Sequence, residues 1–402
     1  MSQTKYKVVF PLAKKDEYLA NDTVDFILSL ENKKLVPGSL AICGECAVLS
    51  NVSSDTAVTQ TQDINMDPDA GYHSLFRDMV TEFRDVGITE SFSYYPRLVK
   101  MKTQATFLRD SLGTQTYNSI EGKTLSKTVR QGYNLGVSAA DAKIPFVLKP
   151  DIAPNKSDMP IPGNQVGVIR IRTRLAPNDE VLFGDDVTND AGYKITNLQI
   201  RYETVNDDGS RPDLNMEVYN VIRQVIETNN ANLSSFVPGL NNAVHMSFLP
   251  VADETSNQPT ANFLRCATVP GDALLPDSIA ENNGFGMPNN GFQRLYFAVN
   301  DTDTALVGFT MEDRNEILHN YLRSFNNTPN QYSTILQRVN EGDAYGIGIN
   351  FGGPLDFTKA KFAAEVDSQI SEPYSCYMYF RGSVTLPGSG AMPGSSAPAD
   401  AQ

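Results

Sequence analysis

Apolar and polar side chains alternate with a period of two along most of this chain. Val24, Phe26, Leu28 and Leu30 alternate with Asp25, Ile27 and Ser29. Ile169, Ile171, Thr173 and Leu175 oppose Arg170, Arg172 and Arg174, and Leu198, Ile200, Tyr202 and Thr204 oppose Gln199, Arg201 and Glu203. Tyr345, Ile347, Ile349 and Phe351 are separated by Gly346, Gly348 and Asn350. Successive side chains of an extended strand point to opposite faces, so each pattern predicts a strand with one face on a core. Further strands are expected at Leu40–Leu49, Val244–Leu249, Phe292–Val299 and Tyr374–Thr385, separated by Asn-, Asp-, Gly- and Pro-rich breakers such as Asn206–Pro212 and Ala280–Gly291. Many short strands punctuated in this way predict sandwiches or barrels.

Helical spacing is rarer. Thr310 can cap a helix whose stripe is Ile317, Leu318, Tyr321, Leu322 and Phe325, with Asp313 three residues after the cap. Asp213–Thr228 carries Met216, Tyr219, Ile222 and Ile226 at helical spacing, and a shorter helix is expected near Ala105–Thr116. All three stripes read as core packing.

The chain has 402 residues, of which 41% are hydrophobic and 20% charged, enough to build a sizeable core in two or three units. Lys and Arg number 33 against 47 Asp and Glu, a net charge of −14, which is the wrong sign for a protein that wraps nucleic acid. No apolar run approaches the roughly 20 residues that span a bilayer, and the polar start is unlike a secretory signal. Four Cys do not make a disulfide framework at this length and suit a reducing compartment, so the triplets Asn51-Val52-Ser53 and Asn300-Asp301-Thr302 carry little weight as glycosylation sites. Residues 1–20 read as an N-terminal arm and 21–178 as a first β unit. The polar stretch 179–194 reads as a linker, 195–385 as a second β unit, and the Pro/Gly/Ser/Ala-rich 386–402 as a mobile tail.

Each motif with chemical potential meets an objection. Cys43-Gly44-Glu45-Cys46 is the one C-x-x-C, but redox versions stand where a strand gives way to a helix, and here Leu40, Ile42, Cys46 and Val48 form one strand face. Zinc would need a second close pair, which Cys266, Cys376 and the histidines do not supply. Asp63, Asn65, Asp67 and Asp69 imitate the start of a calcium loop, yet Pro68 and Ser74 occupy the positions that need Gly and Glu. His73, His245 and His319 are scattered, and His73-Ser74-Leu75 and His245-Met246-Ser247 lack the second ligand of a β-barrel oxygenase. Alternation predicts that His245 points away from the core. There is no phosphate loop; Gly346-Ile347-Gly348 lies within a strand pattern and reads as close packing, and Gly388-Ser389-Gly390 has no partner base. The Arg170, Arg172 and Arg174 row reads as a solvated strand face, with an anion or a neighbouring subunit as the other use. Hence no catalytic, cofactor-binding or metal residue is assigned, and the chain is not expected to be an enzyme.

Several stretches resemble the double jelly-roll major capsid proteins. Ile144-Pro145-Phe146-Val147-Leu148-Lys149-Pro150, the Pro160-Ile161-Pro162-Gly163 loop and the strand Gly167–Ala176 are similar to the end of the first barrel in that family. A polar linker and a strand like Ile195–Tyr202 then open the second barrel. Gly71-Tyr72-His73-Ser74-Leu75-Phe76 and Ile88–Tyr95, before Pro96-Arg97, resemble two strand entrances of its small members. The lineage includes adenoviruses, tailless phages, virophages, polinton-like viruses and large nucleocytoplasmic DNA viruses. The resemblance implies an all-β fold of two tandem eight-stranded jelly-roll barrels with a few short helices in loops. It implies a pseudo-hexameric homotrimer that tiles an icosahedral virion, assembled inside the host cell. The implied partners are neighbouring capsomers, minor capsid and penton proteins and, in some members, an internal membrane, without sequence-specific nucleic-acid binding.

Two other readings stand beside it. A β-sandwich ligand- or glycan-binding virion or surface protein would show a concave aromatic or carboxylate cluster, for which the loop Asn282–Asn290 with Phe285 is the candidate. A hydrolase would need two convergent carboxylates. The segment Met1–Lys15, with Tyr6, Val8, Val9 and Phe10, is expected to order on contact with neighbouring subunits.

Overall fold

The structure, a computed structural model, describes residues 4–59, 61–67, 70–106, 121–122, 143–184, 186–227, 231–235, 240–250, 292–299, 305–310, 314–325, 347–356, 362–368 and 373–388. In chain order the first half holds β1 (Lys5–Val9), β2 (Tyr18–Leu19), β3 (Thr23–Ser29), β4 (Lys33–Leu35), β5 (Ala41–Asn51), β6 (Thr56–Ala57), β7 (Asn65–Met66), β8 (Phe76–Phe83) and β9 (Ile88–Phe92). Helix α1 (Tyr95–Thr106) follows, then β10 (Ile144–Leu148), β11 (Ile161–Pro162), β12 (Val168–Leu175), β13 (Leu182–Phe183) and β14 (Gly192–Asn206). The second half holds β15 (Leu214–Ile226), β16 (Ala231–Ser235), β17 (Leu240–Pro250), β18 (Phe292–Val299), β19 (Ala305–Thr310), β20 (Ile347–Asp356), β21 (Phe362–Ser368) and β22 (Tyr374–Leu386). Helix α2 (Arg314–Ser324) lies between β19 and β20.

The described strands of the second half show a clear topology. Its strands form two four-stranded arrays, β20-β17-β22-β15 and β16-β21-β18-β19. Numbered one to eight along the chain, these orders are 6-3-8-1 and 2-7-4-5, which is a jelly roll. In the first half, β9-β8-β12-β3 packs across a shared core from a sheet ordered β10-β5-β14-β4-β11, with β1 and β2 added on β14 and β6 on β5. Alternation explains the layers. Val24, Phe26 and Leu28 from β3, Ile169 and Ile171 from β12, and Ile42, Cys46 and Val48 from β5 all enter one apolar cluster. Gly44 interrupts the β5 row because the Phe146 ring fills that place: a Cβ on residue 44 would lie 2.9 Å from Phe146 Cζ.

The halves meet along a seam. Strands β9 and β15 pair in parallel, with Ser91 opposite Asn220, so β20-β17-β22-β15-β9-β8-β12-β3 is one eight-stranded sheet. Across the seam, Phe92 packs on Tyr219 at 5.6 Å, and Tyr94 meets the edge of Tyr377 at 4.7 Å between ring centroids. Tyr219, Tyr377 and Tyr379 from the second half belong to the same buried cluster as the first-half core.

Five expectations change. The segment Asp213–Thr228 is strand β15, not a helix; thirteen residues of it ladder onto β22, and Leu214, Met216 and Val218 are buried at alternate positions. Its β-branched run Val218, Val221, Ile222, Val225 and Ile226 suits a pleated surface, and the long pairing decides the conformation. The strand around Ile195–Tyr202 does not open the second barrel. As β14 it pairs with β5 (Ile195 opposite Cys46, Ile200 opposite Ile42) and with β4. The stretch 179–194 is built into the first half through buried Val181, Ala191 and Tyr193, and the crossing falls at 207–213. Polarity along the chain marks faces and breaks; it does not say which strand a neighbour will be.

The helix placed near Ala105–Thr116 begins ten residues earlier, as α1, with Pro96 in its first turn, where a missing N–H costs nothing; residues 107–116 lie outside the described residues. Within Met1–Lys15, residues 5–9 form β1 on this chain's own β14, from Lys5 opposite Thr204 to Val9 opposite Ile200. Most of the tail, 389–402, lies outside the described residues.

Candidate functional site

Among the described residues, a set of ionisable groups lies where the halves join. Glu90, on β9, is fully buried and accepts main-chain N–H bonds from both directions. Ala153 donates to Oε2 at 2.7 Å, and Tyr219 of β15 donates to Oε1 at 2.9 Å. Burial pushes its carboxyl up to about 7, against the opposing pull of Lys156. Asp151 has the opposite balance. Burial raises its pKa, but Lys102 at 2.9 Å and Lys156 at 3.2 Å outweigh that and hold it well below the carboxylate range. Lys156 also lies 3.4 Å from Glu217 of β15 and 4.1 Å from the centre of the Tyr219 ring. Arg381 on β22 reaches Glu217 at 4.0 Å.

Helix α1 carries a second set. Arg97 is wholly buried and donates from Nε to Ser247 Oγ of β17 at 2.7 Å, and Lys100 pairs with Asp67 at 2.6 Å with both groups out of solvent. Met101 accepts from Tyr321 Oη of α2 at 2.8 Å, and Tyr94, just before α1, accepts from Tyr379 Oη of β22 at 3.0 Å. Tyr95 takes the Asp151 N–H at 3.0 Å and shares a hydrogen bond with His73 Nδ1 at 3.0 Å. Glu90 to Tyr219, Lys156 to Glu217 and Arg97 to Ser247 cross the joint, while Lys100–Asp67 and Lys102–Asp151 brace its first-half side, so the arrangement acts as a clasp. The signal in the sequence was the Lys and Arg of α1 falling between apolar Tyr95, Leu98 and Met101, legible once α1 is known to be a helix buried on several sides.

The sequence candidates are dispersed over the molecule. Cys43 and Cys46 lie buried and unpaired within β5, their thiols raised by burial, Cys46 to about 12. That suppresses the thiolate that redox or metal chemistry needs. Asp67 is the ion-pair partner of Lys100 and accepts the Ala70 N–H at 2.9 Å; Asp63 accepts from Asn65 Nδ2 at 2.7 Å and donates its N–H to Asp186 at 2.5 Å. Asp69 lies outside the described residues. Among the described residues, no three His, Cys, Asp or Glu converge on a metal position.

His73 is buried between Tyr95 and Glu121, 3.3 Å from its carboxylate. His245 faces inward, contrary to expectation, because β17 is covered on its second face by α2. It bonds Ser324 Oγ at 2.9 Å and stacks on Phe325 at 3.8 Å, and burial drives its pKa well below the imidazole range. His319 is exposed on α2. Gly348 leaves room for the Ser324 side chain on α2; Gly346, Cys266, Ser389 and the Asn282–Asn290 loop lie outside the described residues. The arginine row is partnered locally, and two of its three members meet carboxylates. Arg170 forks onto Asp25, Arg172 lies 3.7 Å from the same carboxylate, and Arg174 donates to Asn21 at 3.0 Å.

No family model matches the chain, and no curated protein sequence matches it. Solved structures do. The chain is similar to the Faustovirus major capsid protein with a TM-score of 0.58 at 9% identity, over 97% of this chain and 91% of that one. It is similar at 0.57 and 10% identity, over 98% of both chains, to PBCV-1 VP54 in a structure fitted into a cryo-EM reconstruction of the virophage Sputnik. With both lengths covered end to end, the fold is the double jelly roll of these major capsid proteins.

Proposed function

We propose that this chain is a major capsid protein: a non-enzymatic building block that assembles as a pseudo-hexameric homotrimer and tiles an icosahedral shell. The observation that carries this reading is end-to-end coverage of two capsid subunits by one chain with two β units. Two similar units per chain give a trimer six wall segments, which is the outline that packs a hexagonal lattice. The buried ionisable groups favour the same reading, because Glu90, Lys156 and Arg97 are engaged in contacts from the first half to the second. A net charge of −14 keeps free subunits apart before assembly. In this reading the location is the virion shell and the partners are copies of itself, with minor capsid and penton proteins at the vertices.

Light scattering on the purified chain tests it. A particle of three times 44.1 kDa, with hexagonal outlines in negative stain, is the expected result. A stable monomer at all concentrations overturns the proposal.

A further inference from the structure

The first fifteen residues combine features that the other described residues do not. Four of the ten large apolar side chains exposed among the described residues fall within residues 6–12: Tyr6 at 61%, Val8 at 43%, Phe10 at 50% and Leu12 at 61%. They occupy every second position, so an extended backbone sets them in one row roughly 20 Å long. The intervening Val9 and Pro11 turn inward, and Leu12 donates its N–H to Asp25 O of β3 at 2.8 Å. The ladder to β14 fixes Tyr6 and Val8, and Phe10 lies between that ladder and the Leu12 bond, so the row is a preformed ridge.

Three further properties restrict what can cover it. First, β1 is an outer strand: it pairs with β14 alone, and among the described residues no strand takes its other main-chain edge. Unsatisfied N–H and C=O groups along such an edge match another polypeptide, and a lipid surface cannot pair with them in register. Second, residues 1–15 hold Lys5, Lys7, Lys14 and Lys15 and no acidic residue, which leaves 29 basic against 47 acidic side chains elsewhere, a balance of −18. Third, Leu19, exposed on β2, continues the apolar edge along β14. Lys14 bends its ammonium to 5.1 Å from the Phe10 ring centre, a place that an incoming carboxylate could share.

We infer that this ridge is a docking surface for a second copy of the same chain. The Tyr6, Val8, Phe10 and Leu12 row is covered by a neighbouring subunit, and the flanking lysines meet that subunit's acidic surface. The inference rests on the capsid reading and adds to it the segment through which copies bind. Alternating apolar residues would otherwise stand in water on a rigid strand, a condition associated with interaction sites.

The test uses the full chain. With the photoreactive residue p-benzoylphenylalanine at position 10, irradiation of the associated protein is expected to link chains into a species of twice 44.1 kDa. The double variant Tyr6→Ser/Phe10→Ser is expected to need at least about tenfold more protein for the same associated fraction, since buried aromatic anchors dominate such contacts. At a dilution where both proteins are single chains, its thermal midpoint should match that of the wild type, because both side chains are exposed in the single chain. Unchanged association with no linked product overturns the inference and leaves the capsid reading standing. Phosphatidylglycerol vesicles that bind the wild type and not the variant, with association unaltered, assign the ridge to a lipid surface and also overturn it. A wild-type chain that never associates removes the capsid reading, and this inference with it.

Discussion

Glu90 and Tyr219 lie on different halves of the chain, and the carboxylate of the first accepts the main-chain N–H of the second at 2.9 Å with no exposure to solvent. The same carboxyl holds Ala153, so one acidic group fixes both sides of the seam. Its pKa of about 7 means that the folded chain keeps the proton well above the ordinary value of 4.5. The stabilisation is therefore full below about pH 4.5 and is lost as pH rises through about 7. A shift of this size corresponds to about 3 kcal/mol over that window. Urea denaturation between pH 4.5 and 8 should show the decline, and Glu90→Gln should reduce it, leaving the part due to Glu180, whose carboxyl burial also raises to about 7; an unchanged slope in that variant would refute the assignment.

The Asp67–Lys100 pair predicts a large single-site effect. Lys100→Met leaves a carboxylate buried with its closest cation gone, and the expected loss is about 3–5 kcal/mol. Replacing both partners by apolar residues should recover part of it, although Asp67 also holds the Ala70 N–H. Equilibrium unfolding of the three variants checks this, and a loss below about 1 kcal/mol for Lys100→Met would contradict it.

Gly44 gives a packing test. The Phe146 ring is buried and stacks on Tyr72 at 5.2 Å, so it has little room to yield to a methyl group. Gly44→Ala should cost about 1–3 kcal/mol, and adding Phe146→Leu should restore some of that. Additive losses in the double variant would show that the two sites do not share the space.

The thiols make a chemical prediction. In a Cys266→Ser background, Cys43, Cys46 and Cys376 should resist Ellman's reagent in the native protein and react in denaturant, since all three are buried and burial raises each thiol. Rapid labelling at neutral pH would mean that β5 or β22 opens.

Much of the fold was legible because strand periodicity is local. Phe26, Leu28, Ile169, Ile171 and Ile200 all face the core as alternation requires. Partner choice is not local, which is why β14 reads as the first strand of a new barrel until its ladder to β5 is seen. Met216, Tyr219, Ile222 and Ile226 fit both a helical stripe and a strand, and only β22 beside them decides between the two. The clasp was less legible still. Glu90, Asp151 and Lys156 look like ordinary surface charges in sequence, and Tyr219, 129 positions from Glu90, is what brings the first of them its partner. His245 shows the same limit, since an alternating pattern says nothing of a helix that covers the outer face.

The parallel seam of β9 and β15 has a mechanical consequence. The Ser91–Asn220 pairing, with Phe92 against Tyr219 and Tyr94 against Tyr377 beside it, ties the two halves so that a displacement of one is passed to the other through these contacts. In the proposed shell, subunits tied in this way would leave the curvature to the borders between copies.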